Sequence, residues 1–343
     1  MGLTKKDFMG ISRGVVMGYA HYSHKETKMK IQTNLNDFNK DKEFDWASYN
    51  KSQTSEKIVF LKLLNDMCGL IGDLPHAKGR KPIELSDMIF CCCLKTYLSF
   101  SSRRCISDLK MIHKLNYISK VPAFNTILKY FNDRTLTPVL KQLIEISALP
   151  LKQIEVDFAV DATGFGTGRF DRWTTARAYT NDKIRYWKKA HVTYGVITNI
   201  VTSVEITSGT THDSKMFADI ITRTANNFKI REVSADLGYS SRNNLQLVSD
   251  LGAIPFIPFK KNAKGTTRGF LVWRKMFEYF RDYKEDFLKH YHKRSNAESG
   301  FSMIKRRFGD FVRSRKETAQ TNEILCKILC HNFALTSSIS DGP

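Results

Sequence analysis

The chain has 343 residues, and its 54 Lys and Arg against 34 Asp and Glu give a formal net charge of +20. That length has room for two or three domains with a sizeable core, and 42% hydrophobic with 26% charged residues describes a soluble globular protein. The basic excess points to a polyanionic partner, nucleic acid first. A membrane location is excluded on this reading: the apolar run 88–94 stops at Lys95, far short of a span, and no signal peptide or basic amphipathic anchor is evident. Seven cysteines without a C-x-x-C pair argue against a zinc ribbon. Cys91, Cys92 and Cys93 form a run, Cys326 and Cys330 read as packed thiols, and the whole reads as a reduced, cytoplasmic protein.

Residues 1–57 are polar and lysine-rich without a sustained period and read as a basic arm. From Ser55 onward Ile58, Leu61, Leu64, Met67 and Leu70 recur at helical spacing and predict a first helix. The basic turn Lys78-Gly79-Arg80-Lys81-Pro82 follows, and Ser86 or Asp87 can cap a second helix to Tyr97. Ser101-Ser102-Arg103-Arg104 leads into the pattern Ile106, Leu109, Ile112, Leu115. Pro122, favourable in a first helical turn, opens another: Phe124, Ile127, Leu128, Phe131. Two short helices so joined fit a helix-turn-helix unit with 122–134 as recognition helix. Asn125, Thr126, Lys129, Asn132 and Arg134 would be its exposed residues. A plain helical hairpin fits the same pattern, and the overall charge favours the DNA-binding version. Residues 58–150 thus form an all-α, helix-turn-helix-like domain.

A helix over 138–148 leads into a change of period. Over 154–163, Val156, Phe158 and Val160 alternate with Asp157, Ala159 and Asp161, which predicts a strand ending at Gly164 in a glycine-rich loop. The run GFGTG lacks a Walker lysine and a following helix, so it is no phosphate loop. Runs 190–199 and 201–207 read as a hairpin, 212–226 as a helix and 228–236 as a strand. A helix over 240–251 stopped by Gly252 and a short buried strand over 253–258 follow. A basic segment, 259–268, and a helix rich in Phe and Tyr precede the last long helix. This order is consistent with an α/β RNase H-like domain, a mixed sheet flanked by helices, over 151–343 with a short insertion at about 259–286.

In the last helix Tyr291, Arg294, Glu298 and Lys305 fall at roughly 0, 300, 340 and 320° on a wheel of about 100° per residue. They share one stripe, beside an apolar seam of Ala297, Phe301, Ile304 and Phe308. A solvated basic face with one Arg294–Glu298 pair is the plain alternative. Two further acids decide between them. Asp161 and Asp236 each end a predicted strand, where functional residues of open α/β sheets gather, and Glu298 can join them. Three hard oxygen ligands favour Mg²⁺ or Mn²⁺ over zinc. Two such ions, about 3.5–4 Å apart, would clamp an in-line phosphoryl displacement.

Neighbouring residues compete for these roles. Asp157 shares the strand face of Asp161, but Asp161 stands at the strand end and is preferred. Asp213 reads as a helix cap, or with His212 as support for the site. Trp273, among Phe270, Phe277 and Phe280, reads as core rather than as a base-stacking residue. Lys260, Lys261, Lys264 and Arg268 read as a surface for a DNA backbone.

These residues resemble the DDE transposases of bacterial and archaeal insertion sequences, in the group with a Y-x2-R-x3-E-x6-K signature. Tyr291, Arg294, Glu298 and Lys305 match its spacing, and the contexts VDATGF around Asp161 and ADLGYSS around Asp236 are similar too. The resemblance covers roughly 154–335 and weakly the helical part before it. It implies that Asp161, Asp236 and Glu298 bind the catalytic metals. It also implies that Arg294 and Tyr291 contact the phosphate beside the cleaved bond and that Lys305 contacts the transposon-end backbone. The implied function is binding of terminal inverted repeats by the helical domain, then metal-dependent cleavage and transfer of DNA strands. Double-stranded DNA would be the partner, a homodimer would pair the two ends, and the site of action would be the nucleoid of a prokaryotic cytoplasm. Longer members carry a β-rich insertion before the glutamate, whereas here that stretch reads as a loop plus a helix. The rival readings are an RNase H-like nuclease and a domesticated DNA-binding protein without catalysis.

Overall fold

The computed structural model describes residues 46–72, 82–167 and 187–340. Most of the basic arm, through residue 45, and residues 78–81 of the basic turn lie outside the described residues. Two compact units result: one takes the described residues up to Phe131 and those from Phe333 onward, and the other is Asn132–Asn332.

The first unit is helical. Helix α1 (Trp46–Cys68) begins well before Ser55, because the polar residues there have partners: Ser52 and Glu56 are buried, and Glu56 accepts from the Tyr97 hydroxyl at 2.5 Å. Its seam is Phe60, Leu61, Leu64 and Met67, whereas Ile58 is 71% exposed. In α2 (Leu85–Tyr97) Asp87 is not a cap. Buried instead, it accepts from the amide and hydroxyl of Ser119, at 2.9 and 2.6 Å, which fixes the connection between α3 (Ser102–Lys114) and α4 (Phe124–Phe131). Ser101 caps α3 by accepting from Arg104 N at 3.3 Å. Helix α4 is shorter than 122–134. Asp133 ends the run by accepting from Thr135 N and Oγ1 at 2.9 and 2.8 Å, an Asx-type turn that competes with helix. All seven cysteines are buried thiols. Among the described residues no helix is long and apolar enough to cross a membrane.

The second unit starts with α5 (Leu136–Ala148), whose Lys141 pairs with Glu205 at 2.6 Å. Strands β1 (Asp157–Gly166), β2 (Trp187–Gly195) and β3 (Val201–Ser208) follow, then α6 (Phe217–Asn227), β4 (Glu232–Ala235), α7 (Arg242–Asp250) and β5 (Ile254–Phe256). Helices α8 (Leu271–Asp282), α9 (Lys284–Tyr291), α10 (Ser295–Phe308) and α11 (Glu317–Ser340) complete the described chain. The five described strands form one sheet in the order β3-β2-β1-β4-β5. Its β1–β2 and β2–β3 pairs are antiparallel and its β1–β4 and β4–β5 pairs parallel. This is the RNase H-like sheet that the element order implied.

Two boundaries differ in ways that matter for the site. Strand β1 does not stop at Gly164. Its parallel pairing with β4 ends at Val160↔Ala235, while its antiparallel pairing with β2 runs on to Gly166↔Trp187. The expected glycine loop is therefore partly strand, with Phe165 buried. The stretch 291–305 is not one helix either. Tyr291 ends α9, a 3₁₀ turn takes His292–Arg294, and α10 begins at Ser295. Helix α7 ends as expected, with Gly252 at φ +76°, the left-handed region that favours glycine.

Candidate active site

Alternate residues of β1 share one face of the sheet, and α10 with its preceding turn lies along that face. Asp157 meets Lys293 at 2.8 Å, Asp161 meets Arg294 at 3.5 Å, and Thr163 accepts from Lys305 Nζ at 2.6 Å. The predicted seam Ala297, Phe301, Ile304 and Phe308 is buried and sets the helix in this position. Gly300 makes the approach close: a Cβ there would lie 2.5 Å from Tyr194 Cε1. Arg294 and Lys305 of the polar stripe are accordingly turned toward the sheet, with the Arg294 side chain only 22% exposed, whereas that of Glu298 is 56% exposed.

Asp161 and Asp236 directly follow the last parallel pair, Val160↔Ala235, so they stand abreast where the two strands part. Asp236 also caps a 3₁₀ turn, Leu237–Tyr239, accepting from Gly238 N at 2.7 Å. Glu298 projects from the first turn of α10 and is joined to Asp161 through one guanidinium. Arg294 Nη2 donates to Glu298 Oε1 at 2.6 Å and Nη1 reaches Asp161 Oδ2 at 3.5 Å. Burial pushes the Asp161 carboxyl up to about 6, and the charges of Asp236 and Glu298 add to the rise, while the Ala162 amide and Arg294 oppose it. Lys305 is held below its ordinary range by burial.

The donor chemistry fits a divalent cation: three carboxylates, one of them destabilised as an anion by burial first and then by the other two, and no soft ligand among them. Among the described residues, however, no three of His, Cys, Asp and Glu stand close enough together to hold an ion. Glu298 turns instead to Arg294.

The remaining expectations sort as follows. Tyr291 is half-buried at the end of α9, with the Arg294 guanidinium 5.9 Å from its ring centre. Lys129 and Asn125 are exposed on α4, and Thr126 is half-buried there. Half-buried Asn132 and exposed Arg134 lie beyond the helix end, a correction to the recognition-helix set. Lys260, Lys261, Lys264 and Arg268 are all exposed before α8. Trp273 is buried against Phe259 and donates Nε1–H to Lys264 O at 2.9 Å, as a core residue does. Asp213 caps nothing with its side chain; it pairs with Lys189 and lies 3.4 Å from His191 Nδ1. Burial holds that imidazole down to about 4, so it is neutral at pH 7.

Sequence reasoning missed several neighbours of the site. Thr163, as the seat of Lys305, was legible as the next same-face residue after Asp161. The hydroxyls of Tyr194 and Tyr239 are buried without a hydrogen-bond partner among the described residues, and nothing in the local sequence marked them. Glu232 and Lys293 surround Asp157, where sequence offered only a rival metal ligand.

A mixed sheet in this order, with two acids at the fork of its central strands and a glutamate on the packed helix, defines the class. The chain belongs to the DDE transposases: the family described as "Transposase DDE domain" matches residues 152–333. It is an insertion-sequence transposase by this membership and by similarity to a protein of Archaeoglobus fulgidus named "Probable transposase for insertion sequence element ISA1214". The two are 28% identical over 253 residues, which cover 73% of this chain and 74% of the relative. No solved structure matches the chain.

Proposed function

We propose that this transposase binds the terminal inverted repeats of its element, cuts DNA at their ends and transfers the freed strands to target DNA. The observation that carries the reading is the placement of Asp161 and Asp236 abreast at the β1–β4 fork, with Glu298 tied to them through Arg294. Asp161, Asp236 and Glu298 would hold Mg²⁺ or Mn²⁺, two ions in all, which when bound polarise the phosphate and activate a water. Water attack at phosphorus breaks the P–O3′ bond and leaves a 3′-OH on the element's end. That hydroxyl then attacks a target phosphate, forming a new P–O3′ bond as the target's own 3′ oxygen leaves. No serine or tyrosine nucleophile is needed.

The arginine fork suits a phosphate better than an ammonium does, so Arg294, with Tyr291, holds the phosphate beside the cleaved bond. Lys305, seated on Thr163, holds the transposon-end backbone. Lys260 and Lys261 extend that backbone surface. Recognition of the ends falls to the helices within 58–150, with Lys129 of α4 at the DNA and Arg134 beside it, and the chemistry falls to 151–343. A homodimer pairs the two ends on DNA in a prokaryotic cytoplasm.

The test is cleavage and joining of a labelled duplex carrying the element's terminal repeats, in Mg²⁺ and in Mn²⁺, by the wild type and Glu298→Gln. Metal-dependent nicks at the repeat ends and joined products, lost in the variant, are expected. Cutting that ignores the repeats and joins nothing would favour a nuclease. Binding without cutting by either protein would favour a DNA-binding protein that has lost catalysis.

A further inference from the structure

The other charged cluster on this face of the sheet lies at the start of the strands, away from Asp161. Asp157 and Glu232 open β1 and β4 and are register partners, so two carboxylates stand side by side. Both are buried, at 8% and 7% side-chain exposure. Such a pair is costly unless cations or hydrogen-bond partners meet it, and Arg231, Lys293 and His290 do. Arg231 binds Asp157 through Nε and Nη2 at 2.8 and 2.6 Å. His290 Nδ1 lies 2.5 Å from Glu232 Oε2, with its ring stacked on Phe256 at 4.3 Å. Lys293 binds both carboxylates, Asp157 at 2.8 Å and Glu232 as well. Arg231 and Lys293 hold Asp157 below the usual carboxylate range despite its burial.

Two of those partners come from the segment that carries the site. His290 lies in the last turn of α9, and Lys293 lies in the 3₁₀ turn directly before Arg294. A tightened turn between two helices rotates everything after it relative to everything before it. The backbone at Arg294, and with it the start of α10 that bears Glu298, is therefore set by where Lys293 is pinned.

We propose that Lys293, held by Asp157 and Glu232, is a positioning residue that fixes the 3₁₀ turn and so aims Arg294 and Glu298 at the β1–β4 fork. Asp157 then serves the site as an anchor on the strand and is not a metal ligand. The inference rests on the function proposed above for Arg294 and Glu298, and the test separates the two.

Hydrogen exchange of the full chain is measured in the wild type, Lys293→Met, Lys293→Arg and Asp157→Asn, together with single-turnover cleavage and affinity for the terminal-repeat duplex. Faster exchange confined to the amides of 290–298 is expected in Lys293→Met and Asp157→Asn, with partial recovery in Lys293→Arg. Cleavage at saturating DNA should slow about tenfold or more in the first two, since small misplacements of reacting groups cost rates of this order, while affinity changes little. The double variant should be no slower than either single one, as for partners in one interaction. Unchanged exchange over 290–298 would overturn the proposal. So would a loss of affinity with a salt slope reduced by about one, which marks a phosphate contact. If the wild type cuts no DNA, the function above fails, and the exchange data still decide whether Lys293 pins the turn. Should Lys293→Met not fold, Asp157→Asn carries the same comparison.

Discussion

At the scale of single residues, the two aspartates of β1 stand in different surroundings. Asp161 faces Asp236 and Glu298, whereas Asp157 is saturated by Arg231 and Lys293. Asp161→Asn is expected to abolish cleavage, and Asp157→Asn to leave a slowed but measurable rate in the same assay. Equal loss at both would mean that the first ligand is misassigned. The raised carboxyl of Asp161 adds a pH dependence. Only its ionised form binds a cation, so Mn²⁺ affinity, read by calorimetry, should fall about tenfold per pH unit below about 6. The folding linkage runs the other way. An acid raised from 3.8 to about 6 contributes stability below its unfolded value and loses it as pH rises through about 6. Without metal, this group should make the protein less heat-stable at pH 7 than at pH 5, and added Mn²⁺ should restore the loss at pH 7.

At the scale of elements, α4 ends at Phe131 with Lys129 exposed on its last turn, and Arg134 follows in the Asx-type turn. Lys129→Ala should weaken binding to the terminal repeats, and Arg134→Ala should weaken it less. Equal affinities for the wild type and Lys129→Ala, measured by fluorescence anisotropy, would remove α4 as the recognition helix. The break at His292–Arg294 is the second consequence at this scale. It puts Tyr291 on α9, Arg294 in the 3₁₀ turn, and Glu298 and Lys305 on α10, so the signature residues are spread over two helices and the turn that joins them.

At the scale of the molecule, a formal charge of +20 makes affinity for any DNA strongly dependent on salt. Lys260 and Lys261 are exposed and lie outside the sheet. Replacing both with Ala should reduce the slope of log affinity against log salt by about two, with unchanged heat stability. An unchanged slope would place the DNA elsewhere.

Periodicity and chemistry carried much of this reading because they are local. Alternation over 154–163 marked β1, helical spacing of Ala297, Phe301, Ile304 and Phe308 marked the buried seam of α10, and the order of elements implied the RNase H-like sheet. The spacing of Tyr291, Arg294, Glu298 and Lys305 marked a chemical stripe for the same reason. Register and partners are not local, and they decided the rest. The extension of β1 to Gly166 depends on β2, the early start of α1 on Tyr97, and the burial of Asp87 on Ser119. Whether Asp157 is a ligand or an anchor could not be read from its own strand, since its neighbours there are those of Asp161. The case for an anchor comes from Glu232 on β4 and Lys293 before α10, because a carboxylate's surroundings follow from the charges that tertiary structure brings to it.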